Sequence, residues 1–300
     1  MSHAVCTLFE GHYHLGVGAL INSLHASGFT GRVICGYRGA EPVWAEAARR
    51  LQGGIDVRFV PIASGVHLTN YKPEFLRECW ASHAEDATQL YYFDPDIVVK
   101  APWSVIARWA ADGVALCEDV NANFPARHPY RLAWLDFLAA RDLTARRPLD
   151  RYYNAGFIGL PRAYRDLLDT WIRIVALGGE AIGSLSRLKV DQPHALFHSA
   201  DQDALNMALM VNPAPINAAG PEGMDFENGG HLLSHAIGGR KPWRGGFLRE
   251  ALRGRPPAAA QKSFFRFAES PLRLFPSGEL ARLRLSLRTG ALLGRLYRRA

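Results

Sequence analysis

Three short segments carry side chains whose types and spacing suit chemistry. Asp94-Pro95-Asp96 sets two carboxylates two residues apart. Alternate side chains of an extended chain point the same way, so this pair could share one divalent cation. A D-x-D arises about once by chance in a chain of this length, and a second, Asp201-Gln202-Asp203, is present. More specific is the run His235-Ala-Ile-Gly238-Gly-Arg-Lys241-Pro242-Trp243, which reads H-x-x-G-x-x-K-P-W. An imidazole on a loop could close a two-carboxylate site, a glycine lets backbone approach phosphate, and a lysine is a compact charge suited to it.

A strand-borne D-x-D followed by H-x-x-G-x-x-K-P-W resembles the pattern of the family 8 glycosyltransferases, the group of glycogenin and the bacterial lipopolysaccharide galactosyl- and glucosyltransferases. The resemblance spans roughly residues 4–245. It implies a GT-A type α/β fold with a central, mostly parallel sheet flanked by helices. It further implies a UDP-sugar donor and a bound Mn²⁺ or Mg²⁺ held by Asp94, Asp96 and His235, with Gly238 and Lys241 approaching the donor diphosphate. Tyr13, in the loop after the first strand, resembles the aromatic residue on which the uracil ring stacks. Lys72 stands where the family often has a basic residue near donor phosphate and sugar.

Asn154-Ala155-Gly156 is similar to the family's N-A-G beside the transferred sugar, and Asp201-Gln202 followed by Asn206 resembles its D-Q-x-x-x-N. The resemblance gives Asp201 the sugar hydroxyls and places the Gln202 side chain near the anomeric carbon. It implies transfer with retention of configuration, by front-face attack or through a covalent intermediate on Gln202. A bacterial surface glycan or its lipid-linked precursor is the expected acceptor. Pro95, lacking an N–H, removes any donor contact made through that amide.

The elements that must position these residues alternate in kind. Ala4–Phe9, Arg32–Gly36, Asp56–Pro61 and Gln89–Phe93 read as strands, with helical patterns over Ala19–His25, Val43–Leu51 and Glu74–Ala84 between them, which predicts an α/β domain. Val114–Cys117 and Ala155–Leu160 read as further strands, Asp201–Val211 as a helix, and 212–230 as loop. Gly16-Val17-Gly18 is discounted as a dinucleotide fingerprint because Ile21 occupies the third glycine position. His194 and His198, four apart, have no third ligand at zinc-like spacing and are expected in a solvated loop.

At 48% hydrophobic and 21% charged, the 300 residues compose a globular domain rather than a disordered polyelectrolyte. Charge is uneven: residues 240–300 hold 15 Lys/Arg against 3 Asp/Glu, although the whole chain is only +7. The organisation expected is therefore a GT-A domain over 1–250 and a basic, partly helical tail over 251–300. Leu280, Leu283, Leu287 and Ala291 recur at helical spacing beside Arg284, Arg288 and Arg295, so this tail is expected to bind an anionic membrane rather than nucleic acid. Four scattered cysteines without C-x-x-C spacing exclude a zinc ribbon or disulfide scaffold. Neither a signal-peptide pattern nor a long apolar run is present, so a cytoplasmic protein, peripheral on the inner membrane face, is expected. Two other readings stay open: a sugar-nucleotidyltransferase, whose basic glycine-rich loop is missing, and a non-catalytic adaptor using the basic tail.

Overall fold

The computed structural model describes residues 2–186, 196–227 and 229–296. In chain order these form β1 (His3–Glu10), α1 (His14–Ala26), β2 (Gly31–Arg38), α2 (Ala45–Arg49), β3 (Ile55–Pro61), α3 (Lys72–Glu78), β4 (Gln89–Phe93) and β5 (Ile97–Val99). There follow α4 (Trp103–Trp109), β6 (Val114–Cys117), α5 (Pro129–Ala139), β7 (Phe157–Pro161), α6 (Asp166–Ile182), α7 (Ala200–Val211), β8 (Ile216–Ala219) and β9 (Leu233–His235). The last helices are α8 (Phe247–Leu252), α9 (Ala259–Arg266) and α10 (Ser277–Gly294).

The strands form a seven-stranded sheet in the order β3-β2-β1-β4-β7-β6-β8 and a two-stranded ribbon of β5 and β9. Its central strands are continuous apolar runs because both faces are covered. Alternate residues feed opposite layers: Ala4, Cys6 and Leu8 of β1, with Leu90 and Tyr92 of β4, enter one core. Val5 and Phe9, with Tyr91 and Phe93, enter the other. Helices α6 and α7 cover the first face, and α1 with α8–α10 covers the second.

Strands β1 to β4 are mutually parallel, whereas β7 runs antiparallel between β4 and β6. Strand β8, an edge strand parallel to β6, lies within the stretch expected as loop. Its Ile216-Asn-Ala-Ala is too short and too weakly alternating to announce itself. The order reverses between β1 and β4, and such a switch point opens a crevice at the carboxyl ends of parallel strands. Tyr13 follows β1 and Asp94 follows β4, so both lie at that crevice.

The segment expected as a basic tail from residue 251 is joined to the body by packing. Phe264, Phe265, Leu272, Phe275, Leu280 and Leu283 belong to the same core as Val17 and Leu20 of α1. Asn22 of α1, wholly buried, donates from Nδ2 to the carbonyls of Phe267 (2.7 Å) and Leu272 (2.8 Å), while its Oδ1 accepts from the Leu272 N–H. Leu280, Leu283 and Leu287 are only 3%, 7% and 8% exposed, so the stripe expected to enter a membrane faces the protein instead. Residues 251–296 are apolar where they meet α1, which is why the boundary at 250 is one of composition and not of packing.

Candidate active site

The ribbon of β5 and β9 brings the first and third motifs together. Its register pairs Ile97 with His235, which sets the histidine beside the residue that follows Asp96. His235 thus ends a strand rather than sitting on a loop, because Leu233–His235 finds hydrogen-bonding partners along Ile97–Val99. Its Nε2 lies 3.2 Å from Asp96 Oδ1 and 3.9 Å from Asp94 Oδ2. The other ring nitrogen, Nδ1, is buried without a hydrogen-bond partner, and the ring is held by Phe226, whose centroid is 5.7 Å away.

One ligand atom from each of Asp94, Asp96 and His235 can be chosen so that all lie within 4.8 Å of one another. The separation of 3.2 Å between Asp96 and His235 already suits neighbouring ligands about 2.1 Å from one Mg²⁺-like ion. Two carboxylates and one imidazole are a donor set for Mn²⁺ or Mg²⁺, so the residues fit the ion that the resemblance implies. Burial alone would push the Asp96 carboxyl up, but His235 and Lys241 beside it hold it well below the usual carboxylate range. Lys241 Nζ is 2.5 Å from Asp96 Oδ2 and 2.9 Å from the Ala236 carbonyl.

A second cluster shares Asp94. Lys72, 1% exposed at the start of α3, places Nζ 3.0 Å from Asp94 Oδ1, 3.0 Å from Asp201 Oδ2 and 3.0 Å from the Ala155 carbonyl. Burial favours the neutral amine, yet Asp94 and Asp201 outweigh it and hold the group protonated. Every ammonium proton therefore has a protein acceptor, and Lys72 ties the D-x-D to the start of α7. The Ala155 N–H in turn donates to Gln202 Oε1 at 3.1 Å.

Asn154 Oδ1 accepts from the Gly156 N–H at 2.8 Å, closing the N-A-G turn, while Asn154 Nδ2 donates to Asp119 Oδ2 at 2.7 Å. A Cβ on Gly156 would come within 2.6 Å of His235 Cε1 and 3.0 Å of Asp94 Oδ2, so only glycine lets the turn pass this close. Gly16 has a similar cause: a Cβ there would meet the Pro95 carbonyl, which explains that glycine without any nucleotide.

Tyr13, Gly238 and Lys241 line one wall of a cleft of about 750 Å³ that also contains the metal-type triad, Lys72, Asn154 and Gln202. The Tyr13 ring meets Trp243 edge-on at 5.3 Å, and Lys241 Nζ lies 5.9 Å from its centroid. The structure therefore brings all ten sequence-selected residues to one cleft. His194 lies outside the described residues, and the His198 N–H donates to Asp203 at 2.7 Å.

Asp119 escaped the sequence reading, and Asp203, named there only as part of the second D-x-D, was given no role. Asp119 is the second residue after β6, with Glu118 between, so charge at the end of a buried strand was its signal. Asp203 accepts from Tyr152 Oη at 2.6 Å and from the His198 and Ser199 N–H groups at 2.7 and 2.8 Å. Burial pushes its carboxyl up to about 7 despite those donors. The same cleft is also lined by Phe124, Tyr130, Trp134 and Tyr152, an aromatic cluster that no motif describes.

No protein-family model matches this chain, and no curated protein sequence does. Solved structures do match in fold. The apo bifunctional glycosyltransferase WbbM superposes with a TM-score of 0.58 at 14% identity over 94% of this chain, which spans about half (51%) of the WbbM chain. The galactosyltransferase LgtC, solved with donor and acceptor sugar analogues, gives a TM-score of 0.55 at 17% identity, covering 93% of this chain and 100% of its own. The glycosyltransferase GlyE of Streptococcus pneumoniae gives 0.54 at 13% identity, covering 94% of this chain and 63% of its own. The seven-stranded sheet with its flanking helices is the fold of the GT-A glycosyltransferases.

Proposed function

We propose that this chain is a metal-dependent, retaining glycosyltransferase of the family 8 type, which moves a hexose from a UDP-sugar to a glycan or lipid-linked acceptor. The observation that carries the reading is the meeting of Asp94, Asp96 and His235 at the carboxyl edge of the sheet, with Lys241 and the N-A-G turn against them. A nucleoside diphosphate brought there would otherwise face unneutralised carboxylates, and a bound divalent ion would supply charge neutralisation of the departing diphosphate.

Around that ion the chain's own residues divide the work. Tyr13 offers a ring for the uracil, and the Gly238–Lys241 loop offers backbone and an ammonium to the phosphates. Lys72 holds Asp94 and Asp201 in place and meets the donor only through them. Asp201 and Asn154 take the sugar hydroxyls. The Gln202 carbonyl, oriented by the Ala155 N–H, presents negative potential near the anomeric carbon.

The bond from the anomeric carbon to the β-phosphate oxygen breaks, and its electron pair leaves with UDP. The acceptor hydroxyl oxygen bonds to that carbon from the same face and gives its proton to the β-phosphate. The fixed hydrogen bond on Gln202 favours this front-face course over a covalent step on that residue. Phe124, Tyr130 and Tyr152, which line the same cleft, give the acceptor an aromatic surface.

Release of UDP from a panel of UDP-sugars, with and without Mn²⁺, tests the reading. Metal-dependent release from at least one donor is expected. Failure with every UDP-sugar, alongside release from another nucleotide sugar or of pyrophosphate, would overturn it.

A further inference from the structure

Helix α10 carries two leucine faces, of which the body uses one. At about 100° of rotation per residue, Leu280, Leu283 and Leu287 fall in one arc against the core. Leu285 and Leu292, with Leu296 in the turn that continues α10 past Gly294, fall within an arc of about 40° on the opposite side. These three are 64%, 61% and 78% exposed. Exposed large apolar side chains aligned along one helix face are unusual on a protein surface and mark a contact.

The flanks of that outer face are basic. Arg288 and Arg295 stand on one side of the leucine line and Arg282 on the other, all exposed. Among the described residues none of the three has an acidic partner, whereas Arg284, turned toward the body, bridges Glu269 at 2.6 Å. Helix α8 lies alongside, its Leu248 N–H donating to Ser286 Oγ at 3.2 Å. It adds the exposed Leu248 and Leu252, with Arg249 and Arg253 between and beside them.

We propose that the outer faces of α10 and α8 dock on an anionic lipid bilayer. Leu285, Leu292 and Leu296 enter the acyl boundary, and Arg282, Arg288 and Arg295 reach the headgroup phosphates on either side. The charge decides the occupant. An apolar stripe flanked by unpaired arginines, in a segment with 15 Lys/Arg against 3 Asp/Glu, fits a planar anionic surface and repels a second copy of itself. This docking face is the reverse of the one expected from the sequence, where the buried leucines were assigned to the lipid. It stands apart from the transfer chemistry, since none of these residues lines the cleft.

The test is flotation of the full chain with vesicles of phosphatidylcholine alone or containing a third phosphatidylglycerol. Three proteins are compared: wild type, Leu285→Ser/Leu292→Ser/Leu296→Ser, and Arg282→Gln/Arg288→Gln/Arg295→Gln. Wild type floats with the anionic vesicles only, and each triple variant loses at least about tenfold in partitioning. All three keep the same circular dichroism and the same UDP-sugar hydrolysis. No flotation of wild type overturns the proposal, as does a serine variant that floats like wild type. A wild-type dimer that the serine variant splits, without vesicle binding, also overturns it and assigns the face to a second copy.

Discussion

Asp96 is gripped from two sides, by His235 Nε2 at 3.2 Å and by Lys241 Nζ at 2.5 Å, and this double hold sets what single substitutions should do. If the proposed ion is bound there, Asp96→Ala and His235→Ala each remove one of its ligands and should lower transfer by at least about a hundredfold, read as kcat/KM with a donor in excess Mn²⁺. Lys241 has a less obvious signature. Its ammonium occupies the carboxylate that a dication would take, so Lys241→Ala should bind Mn²⁺ alone about threefold or more tightly while binding UDP in the presence of Mn²⁺ less well. Titration calorimetry of the metal and of UDP separates the two effects. Asp203 sets a pH dependence of stability. Its carboxyl is pushed up to about 7 from the ordinary 3.8 by burial, so its contribution is complete below about pH 4 and is lost as pH rises through about 7. Asp203→Asn, which can keep the bonds to Tyr152, His198 and Ser199, should flatten that loss. Urea midpoints at pH 5 and pH 8 should therefore fall further for wild type than for the variant.

Elements explain why motifs far apart in sequence act as one site. Asp94 and Asp96 lie in the short link between β4 and β5 and His235 ends β9, and the antiparallel β7 begins where the parallel strands end, delivering Asn154 and Gly156 to the same edge. Gly156→Ala should push its new Cβ against His235 and Asp94 and cost about 10–100-fold in Mn²⁺ affinity with the fold retained, measured by the same calorimetry. Much of this was legible in the sequence, because buried strands are continuous apolar runs and the residues at their ends are charged. The pairing of β5 with β9 was not, since three-residue strands have no period to read. The contacts of Lys72 were also hidden: its partners Asp94 and Asp201 come from distant elements, and only packing reveals that they share one ammonium. The antiparallel course of β7 left no trace in a run of five buried residues.

Over the whole molecule, the change of composition near residue 250 is not matched by a break in packing. The basic residues of 251–296 cover the outside of helices whose inner faces join the same core as α1. Leu280, Leu283 and Leu287 bury about 2 kcal/mol each, by order of magnitude. Removing them together with Phe264 and Phe265 would strip one face of α1. A chain ended near residue 254 should therefore be insoluble or lack a cooperative thermal transition, checked by circular dichroism. A soluble, cooperatively folding truncation would return 251–300 to the status of a tail. The α/β body, the ribbon that closes the triad and the helices on its back would together present a divalent ion, held by Asp94, Asp96 and His235, to the diphosphate of a UDP-sugar. Calorimetry of UDP against the full chain, in Mn²⁺ and again after chelation by EDTA, shows whether such an ion is required. Binding that disappears on chelation and is absent in Asp96→Ala is the predicted result, and UDP affinity unchanged by either would contradict it.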